Sequence, residues 1–265
     1  MIGTGGPGPG DPPPPGAFTH DEAVMGTVCS FLVHPGSAGP DAARGALGEA
    51  CAVLHRADAV FSTWVADSPV SRYRRGELTL DECPPEVGEV LQLADAARRA
   101  TSGWFDPWSL PGGVDPTGIV KGWAVERAAG ELAAAGVDGA LVNCGGDIAT
   151  VGSLPGGEPW RVGIRHPWLA DALACIVAVT GAVATSGTYE RGAHLVDPRT
   201  GRPGCRAASA TVTGPSLAMA DAFATALAVG GDDAFGLIEA VDGYACYLVR
   251  PDGSERFGAG IDVRS

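Results

Sequence analysis

An almost wholly apolar helix, predicted over residues 216–229, constrains the fold of this chain more than any other segment. Between residues 220 and 226 its only polar side chains are Asp221 and Thr225, whose i to i+4 spacing places them on one helix face. Burying a carboxylate there is costly unless it is paired or binds a cation, and the hydroxyl offers a second hard oxygen. The alternative is structural, with Thr225 bonding back to a carbonyl one turn earlier.

A second constellation, residues 115–122, surrounds the predicted N-terminus of another helix. Thr117 is the predicted N-cap residue, and a carboxylate, a glycine and a lysine lie beside it, an arrangement that favours a phosphate group. Ordinary capping explains Asp115 and Thr117. It does not explain Lys121, a cation near the unfavourable end of the helix dipole. Both interpretations stay open for this segment alone.

Three further motifs carry polar side chains next to glycines. Residues 143–147 join two predicted strands, either as a plain hairpin turn with a solvated Asp147 or as a loop whose glycines let the backbone approach a cofactor. Residues 185–187 and 194–201 form a strand end and a Pro/Gly turn. Among the five histidines, His194 has the most suggestive setting, although a lone histidine is more often structural.

Helices interspersed with short strands, in no strict βαβ order, predict an α+β fold with a mainly antiparallel sheet and flanking helices, in one domain or two closely joined lobes. The pattern predicts helices at 41–60, 85–100, 117–135, 216–229 and 233–241, with Gly136 just beyond the third. It predicts strands at 27–33, 140–143, 148–151, 160–164, 174–179, 207–212 and 244–249.

The charge balance limits the classes of ligand. The chain has 31 acidic and 18 basic residues, a formal net charge of −13, and no Lys/Arg-rich tract, so binding to nucleic acid is not expected. An anionic substrate would need a local source of positive charge, such as a metal ion, a helix N-terminus or one well-placed cation.

Residues 1–20 are rich in glycine and proline, without a basic n-region or an apolar h-region, and are expected to form a flexible tail ahead of a domain at 21–265. No later stretch has the apolar length of a membrane span. The seven cysteines are scattered, odd in number and without a CxxC pair, which predicts neither a disulfide framework nor a zinc site. Most are expected to be buried apolar residues in a reducing cytoplasm.

Taken together and in this order, these motifs resemble the FAD:protein FMN transferase family, also called the ApbE family, over roughly residues 24–231. One block matches by chance easily, whereas eight in the same order do not. The matching blocks are residues 25–27, 61–64 with 67–68, 103–107, 115–122, 143–147, 184–187, 194–201 and 220–226.

The resemblance implies transfer of FMN from FAD to a Ser or Thr hydroxyl of an acceptor flavoprotein, with release of AMP and with Mg²⁺ as the metal. By position, it implies that the side-chain oxygens of Asp221 and Thr225 and the Gly118 carbonyl bind Mg²⁺. Lys121 would neutralise pyrophosphate charge, and His194 is the candidate for accepting the hydroxyl proton. The implied FAD contacts are Met25, Trp64, Trp104, Phe105, Asp106, Asp115, Lys121 and Leu195.

The chain also departs from the family pattern. Thr188 stands where an acidic residue is common, the span from Ser186 to His194 is short, and Trp64 replaces a common tyrosine while keeping an aromatic surface. Many relatives are exported lipoproteins, whereas residues 1–20 carry no signal sequence, so a cytoplasmic enzyme and acceptor are expected. Two alternatives remain: an FAD pyrophosphatase that releases FMN and AMP, and a noncatalytic FAD-binding protein.

Overall fold

The structure is a computed structural model that describes residues 16–110, 112–154, 156–169, 171–187 and 195–264. Its described helices are α1 (Pro40–Phe61), α2 (Pro69–Arg74), α3 (Pro85–Ala100), α4 (Thr117–Ala134), α5 (Leu217–Gly230) and α6 (Asp232–Glu239). The described strands are β1 (Phe18–Val24), β2 (Thr27–His34), β3 (Gly139–Cys144), β4 (Asp147–Gly152), β5 (Trp160–Arg165), β6 (Leu173–Val179), β7 (Ala182–Gly187), β8 (Val196–Asp197), β9 (Arg202–Pro203), β10 (Ser209–Gly214), β11 (Ala245–Val249), β12 (Glu255–Phe257) and β13 (Val263–Arg264).

One large sheet organises these elements. It has eight strands in the order β1-β2-β3-β4-β7-β10-β11-β12, and every pair is antiparallel. A three-stranded sheet, β13-β6-β5, and the two-stranded β8-β9 ribbon complete the described strands. This arrangement confirms the predicted α+β fold with a mainly antiparallel sheet.

Both faces of the large sheet are buried. Alternate residues of β3 point to opposite faces, so Ala140 and Val142 join the core under the helices, while Leu141 joins a second core. That second core lies against the small sheet and contains Trp160 and Val177. Because the two cores share one sheet, the described residues form layers around it.

The first strand corrects the predicted boundary of the tail. Strand β1 begins at Phe18, so residues 18–20 belong to the sheet instead of a flexible leader. Its burial alternates, with His20 and Glu22 half-buried and Thr19 and Asp21 exposed. Two of the residues that point inward from this strand, His20 and Glu22, are polar. The alternation of apolar and polar residues by which a strand is recognised in a sequence is therefore weak here.

Helix α4 begins at the residue predicted to be its N-cap, one residue earlier than that cap implies, and the observed N-cap is Pro116. Thr117 is its first residue, and the Asp115 carboxylate accepts hydrogen bonds from the Thr117 N–H at 3.1 Å and from its hydroxyl at 2.7 Å. Asp115 therefore does the capping that the sequence assigned to Thr117. At the other end Gly136 has φ 75°, as expected of a residue just past a helix.

The cysteine prediction was wrong in one respect. Cys29 on β2 and Cys144 on β3 form a disulfide, because the antiparallel register places them directly opposite each other. The two residues are 115 positions apart in the chain, so their spacing carried no sign of this pairing. Since disulfides persist in oxidising compartments, cysteine usage no longer supports a reducing location.

No helix in the described ranges combines the length and apolarity that crossing a bilayer requires.

Helices α4 and α5 pack closely at Gly122. A Cβ added there would lie 2.5 Å from the Leu217 carbonyl oxygen and 2.9 Å from the Asp221 Cβ. Helix α5 is buried almost all round, including Asp221, as its apolar sequence predicts. The glycine thus lets α4 approach the one carboxylate of α5.

We expect Gly122→Ala to destabilise the protein by roughly 1–3 kcal/mol, because the methyl group overpacks the α4–α5 contact. Gly130→Ala, on the same helix, is the matched control: its added Cβ meets nothing within 4 Å. That change should stabilise by about 0.5–1 kcal/mol through helix propensity. Urea unfolding midpoints measure both, and equal effects of the two substitutions would contradict the close packing.

Candidate active site

A cavity of about 350 Å³ opens where α4 begins and α5 passes beneath it. Segments far apart in sequence contribute its walls: the turn after α3, the start of α4, the β3–β4 turn, the end of β7, the segment before β8, and α5. The lining residues are Trp104, Phe105, Asp106, Pro107, Leu110, Asp115, Thr117, Gly118, Lys121, Gly145, Thr185, Ser186, Leu195, Val196, Pro198, Asp221 and Thr225.

Lys121 lies between two carboxylates in this cavity. Its Nζ forms an ion pair with the Asp147 carboxylate and lies 4.0 Å from Asp221 Oδ2. Asp147 is 1% exposed, and its other oxygen accepts a hydrogen bond from the Thr185 N–H at 3.4 Å. This excludes the interpretation of Asp147 as a solvated turn residue. Asp147 instead holds Lys121, the residue that helix capping did not explain.

The turn before Asp147 is a two-residue hairpin loop. Gly145 and Gly146 have φ 60° and 102°, and Cys144 pairs with Asp147 across the loop. The Asn143 side chain accepts a hydrogen bond from the Gly146 N–H at 3.0 Å. Positive φ at both positions suits glycine, and Gly145 also lines the cavity. Both sequence interpretations, a hairpin and a close backbone approach to a ligand, are compatible with this geometry.

Asp221 and Thr225 both face the cavity from α5, as their spacing predicted. The Gly122 N–H donates a hydrogen bond to Asp221 Oδ2 at 3.0 Å. In a regular helix that N–H donates to the Gly118 carbonyl. The Asp221 carboxylate and the Gly118 carbonyl, which is a predicted metal ligand, therefore compete for the same N–H. A Cβ on Gly118 would come within 3.9 Å of the Thr225 hydroxyl, which places the two residues face to face.

Arg74 is a site residue that the sequence did not reveal. Its Nη1 lies 3.4 Å from Asp115 Oδ2, and both side chains are mostly buried. Arg74 ends α2, a six-residue helix that the sequence pattern did not predict. Ser68 caps that helix by accepting from the Ser71 N–H at 3.1 Å, and a serine before a proline was the available signal. The ion pair between Arg74 and Asp115 holds Asp115 next to the N-terminus of α4.

Trp104, Phe105 and Asp106, which were predicted to contact FAD, form a turn that lines the cavity. The guanidinium carbons of Arg199 and Arg206 lie 3.5 and 4.8 Å from the centroid of the Trp104 ring, which is 1% exposed. The Phe105 N–H donates to the Thr101 hydroxyl at 3.1 Å. The wall that this turn forms is therefore held in place from within the protein.

Two of the described residues predicted from the sequence, Trp64 and Met25, are not among the residues that line this cavity. The Trp64 side chain is 95% exposed in the loop after α1. Met25, with φ 52°, lies in the turn between β1 and β2, and its N–H contacts Asp58 Oδ2 at 3.4 Å. Neither lines the cavity. His194 lies outside the described residues, as does Thr188, whereas Leu195 lines the cavity.

The donor set fits a hard divalent cation. Among the described lining residues, Asp106, Asp115 and Asp221 supply three carboxylates against the single ammonium of Lys121. Oxygen donors at a buried carboxylate, a hydroxyl and a carbonyl are those that Mg²⁺ accepts. An anionic substrate would be repelled by this cavity unless a cation offsets the carboxylates.

Comparison with known proteins agrees with the residues gathered here. The profile of the family described as "ApbE family" matches residues 25–112 and 110–248. The chain belongs to the ApbE family. Curated members of the family resemble it in part: a protein of Rhodobacter capsulatus named FAD:protein FMN transferase is 36% identical over 151 residues, 53% of this chain and 29% of that protein.

Two other relatives carry the same name. The Vibrio cholerae protein is 37% identical over 131 residues, 45% of this chain and 39% of its own length. The Escherichia coli protein is 32% identical over 151 residues, 53% of this chain and 43% of its own length. The matched part of the chain therefore spans less than half the length of each of these curated ApbE relatives.

Solved structures show the same fold. The ApbE protein of Thermotoga maritima superposes with a TM-score of 0.79 at 23% identity, covering 92% of this chain and 97% of that one. The apo flavinyl transferase ApbE of Pseudomonas stutzeri superposes with a TM-score of 0.78 at 24% identity, covering 92% and 95%. At these identities the likeness establishes the ApbE fold.

We expect the two partners of the Lys121–Asp147 ion pair to differ in their importance for stability. Lys121→Met leaves a buried carboxylate without its cation and should cost about 3 kcal/mol. Asp147→Asn should cost only about 1 kcal/mol, because the Lys121 side chain is 26% exposed and its ammonium can turn to water.

Denaturant unfolding of both variants and of the double variant measures this asymmetry. The double variant should recover part of the loss seen in Lys121→Met, because neither charge is then left alone. An Asp147→Asn variant less stable than Lys121→Met would contradict the described burial.

Proposed function

We propose that this ApbE-family protein transfers FMN from FAD to a Ser or Thr hydroxyl of an acceptor flavoprotein, in a reaction that depends on Mg²⁺. The single observation that carries the proposal is the meeting of Asp221, Thr225 and Lys121 at the start of α4. In this reaction the acceptor oxygen forms a bond to the phosphorus of the FMN half. The pyrophosphate bond to AMP breaks, and the hydroxyl proton is lost.

The side chains of Asp221 and Thr225 and the carbonyl of Gly118 would hold the metal. When bound, Mg²⁺ would neutralise charge on the pyrophosphate oxygens, the main requirement of phosphoryl transfer. The hydrogen bond from the Gly122 N–H holds the Asp221 carboxylate beside the first turns of α4, which contain Gly118. These residues come from α4 and α5, whose close packing at Gly122 keeps the donors together.

Lys121 would place a second positive charge against the pyrophosphate. Its ion pair with the buried Asp147 holds the ammonium at the start of α4, where the helix dipole also favours an anion. Asp115, held by Arg74, and the wall formed by residues 104–106 and Leu195 would contact the rest of the FAD. Positioning of this kind is the main catalytic device for phosphoryl transfer.

His194 is proposed to accept the acceptor hydroxyl proton or to hold that hydroxyl in place. Its neighbour Leu195 lines the cavity, and the unperturbed pKa of an imidazole suits proton transfer near neutral pH. An unchanged transfer rate in His194→Ala would remove this role. The proposed acceptor is a flavoprotein that carries a suitable Ser/Thr motif.

The proposal is tested by incubating the full chain with FAD and MgCl₂, with and without purified candidate flavoproteins. Coexpression of the same candidates with this chain repeats the test in cells. Mass spectrometry of each candidate should find covalently attached FMN, and AMP should form only when an acceptor is present. AMP and free FMN without an acceptor would instead identify an FAD pyrophosphatase. Bound FAD with neither product would identify a noncatalytic FAD-binding protein.

The metal site predicts two graded losses. Asp221→Ala should lower the transfer rate by about 100-fold or more, because it removes the anionic ligand. Thr225→Val should raise the Mg²⁺ concentration for half-maximal rate by about tenfold, with recovery at high Mg²⁺, since one neutral ligand is replaced by a methyl group.

Asp252→Asn, in the β11–β12 turn, is the matched control, because its carboxylate accepts bonds from the Ser254 N–H and hydroxyl and does not line the cavity. It should leave the rate and the Mg²⁺ requirement unchanged. A Thr225→Val variant with wild-type dependence on Mg²⁺ would exclude Thr225 from the metal site.

Trp64 tests the part of the FAD site outside the cavity. Its loop leads directly into α2, whose last residue, Arg74, contacts Asp115. If FAD covers the exposed indole by stacking, Trp64→Ala should weaken FAD binding by about tenfold, and Trp64→Tyr should restore it. FAD titration by flavin fluorescence measures both variants. Equal affinities of Trp64→Ala and the unchanged protein would exclude stacking.

A further inference from the structure

A second group of potential ligand atoms, none of them from a residue that lines the cavity, lies between β1 and α1. Within the described part of the chain, one set of His, Cys, Asp or Glu side chains places its ligand atoms within 4.8 Å of one another: His20, Glu22 and Cys51. His55 lies beside this set, since its Nε2 is 2.8 Å from Glu22 Oε1. We name these four residues the His20 cluster.

The periodicity of the two elements explains why these side chains meet. His20 and Glu22 are two residues apart on a strand and point to the same, half-buried face. Cys51 and His55 are four residues apart on a helix and share one face. Neither pair resembles a metal motif in the sequence, and only the packing of β1 beside α1 unites them.

Contacts on both sides of the cluster fix this packing. Before it, the Arg44 guanidinium carbon lies 5.8 Å from the centroid of the Phe18 ring. After it, the Met25 N–H contacts Asp58 Oδ2 at 3.4 Å. Strand β1 therefore runs along α1 over the whole length of the cluster, and its four side chains project from two regular elements.

We propose that the His20 cluster binds a divalent transition-metal cation of the Zn²⁺ type through the His20 imidazole, the Cys51 thiolate and the Glu22 carboxylate, with His55 hydrogen-bonded to that carboxylate. One nitrogen, one sulfur and one oxygen make the mixed donor set that Zn²⁺ favours and that Mg²⁺ and Ca²⁺ do not.

The distances between the donors suit this cation. His20 Nε2 lies 3.0 Å from Glu22 Oε2, and His55 Nε2 lies 2.8 Å from Glu22 Oε1. Tetrahedral ligands with metal bonds of about 2.0–2.1 Å are separated by about 3.3 Å. The 3.0 Å between His20 Nε2 and Glu22 Oε2 is close to that spacing.

The charge of the cluster also favours a cation. The Glu22 carboxylate supplies a negative charge to the cluster, and the Nε2 atoms of His20 and His55 lie within hydrogen-bond distance of its two oxygens. A bound cation would tie the first strand of the sheet to α1 and should therefore stabilise the fold.

Metal binding by the full chain, stripped with a chelator and dialysed against Zn²⁺, tests the proposal. We expect one equivalent of zinc in the unchanged protein and in Asp221→Ala, which separates the cluster from the cavity. The His20→Ala/Cys51→Ser variant should lose that equivalent. His166→Ala, which removes a half-buried histidine outside the cluster, should retain it. Far-UV circular dichroism establishes that each variant is folded.

Cobalt substitution tests the thiolate directly. Co²⁺ bound to the unchanged protein should show a sulfur-to-metal charge-transfer band that Cys51→Ser lacks, and Zn²⁺ should raise the melting temperature of the unchanged protein only. A protein that binds no zinc, or a double variant that retains its equivalent, would overturn the proposal. So would a cobalt complex without the thiolate band.

Discussion

The hydrogen bond from the Gly122 N–H to the Asp221 carboxylate is the contact on which the cavity depends. It joins α4 to α5 at a point where a side chain larger than hydrogen would meet the Leu217 carbonyl. A buried carboxylate in an apolar helix is tolerated only with such partners. The same approach brings Gly118 opposite Thr225 and sets Lys121 near Asp221, so one contact brings together the site residues of two helices.

The electrostatics of the cavity follow from that assembly. Asp147 pairs with Lys121 from the hairpin, and Arg74 pairs with Asp115 from α2, so each cation is held by a carboxylate before any ligand arrives. Paired side chains lose little freedom on binding, which is the advantage of a preorganised site. The protein as a whole is acidic, so an anionic dinucleotide would rely on this local arrangement and on a cation.

Much of the fold follows from local signals, and the contacts between distant segments do not. Helix α3 spans the predicted residues 85–100, because a proline that suits a first turn begins it and a glycine lies just beyond its end. Strand β1 was missed because its inward positions include His20 and Glu22. The Cys29–Cys144 disulfide, the burial of Asp147 and the role of Arg74 each depend on pairing between distant segments, which periodicity does not encode. The motifs indicated which residues matter; packing decided which of them meet.

The most direct test of the proposed function is a crystal structure of the full chain with FAD and Mg²⁺ bound. The account predicts a cation on the oxygens of Asp221 and Thr225 and the Gly118 carbonyl, with the FAD pyrophosphate between it and Lys121. A pyrophosphate bound elsewhere, or a cation that contacts neither Asp221 nor Thr225, would contradict it.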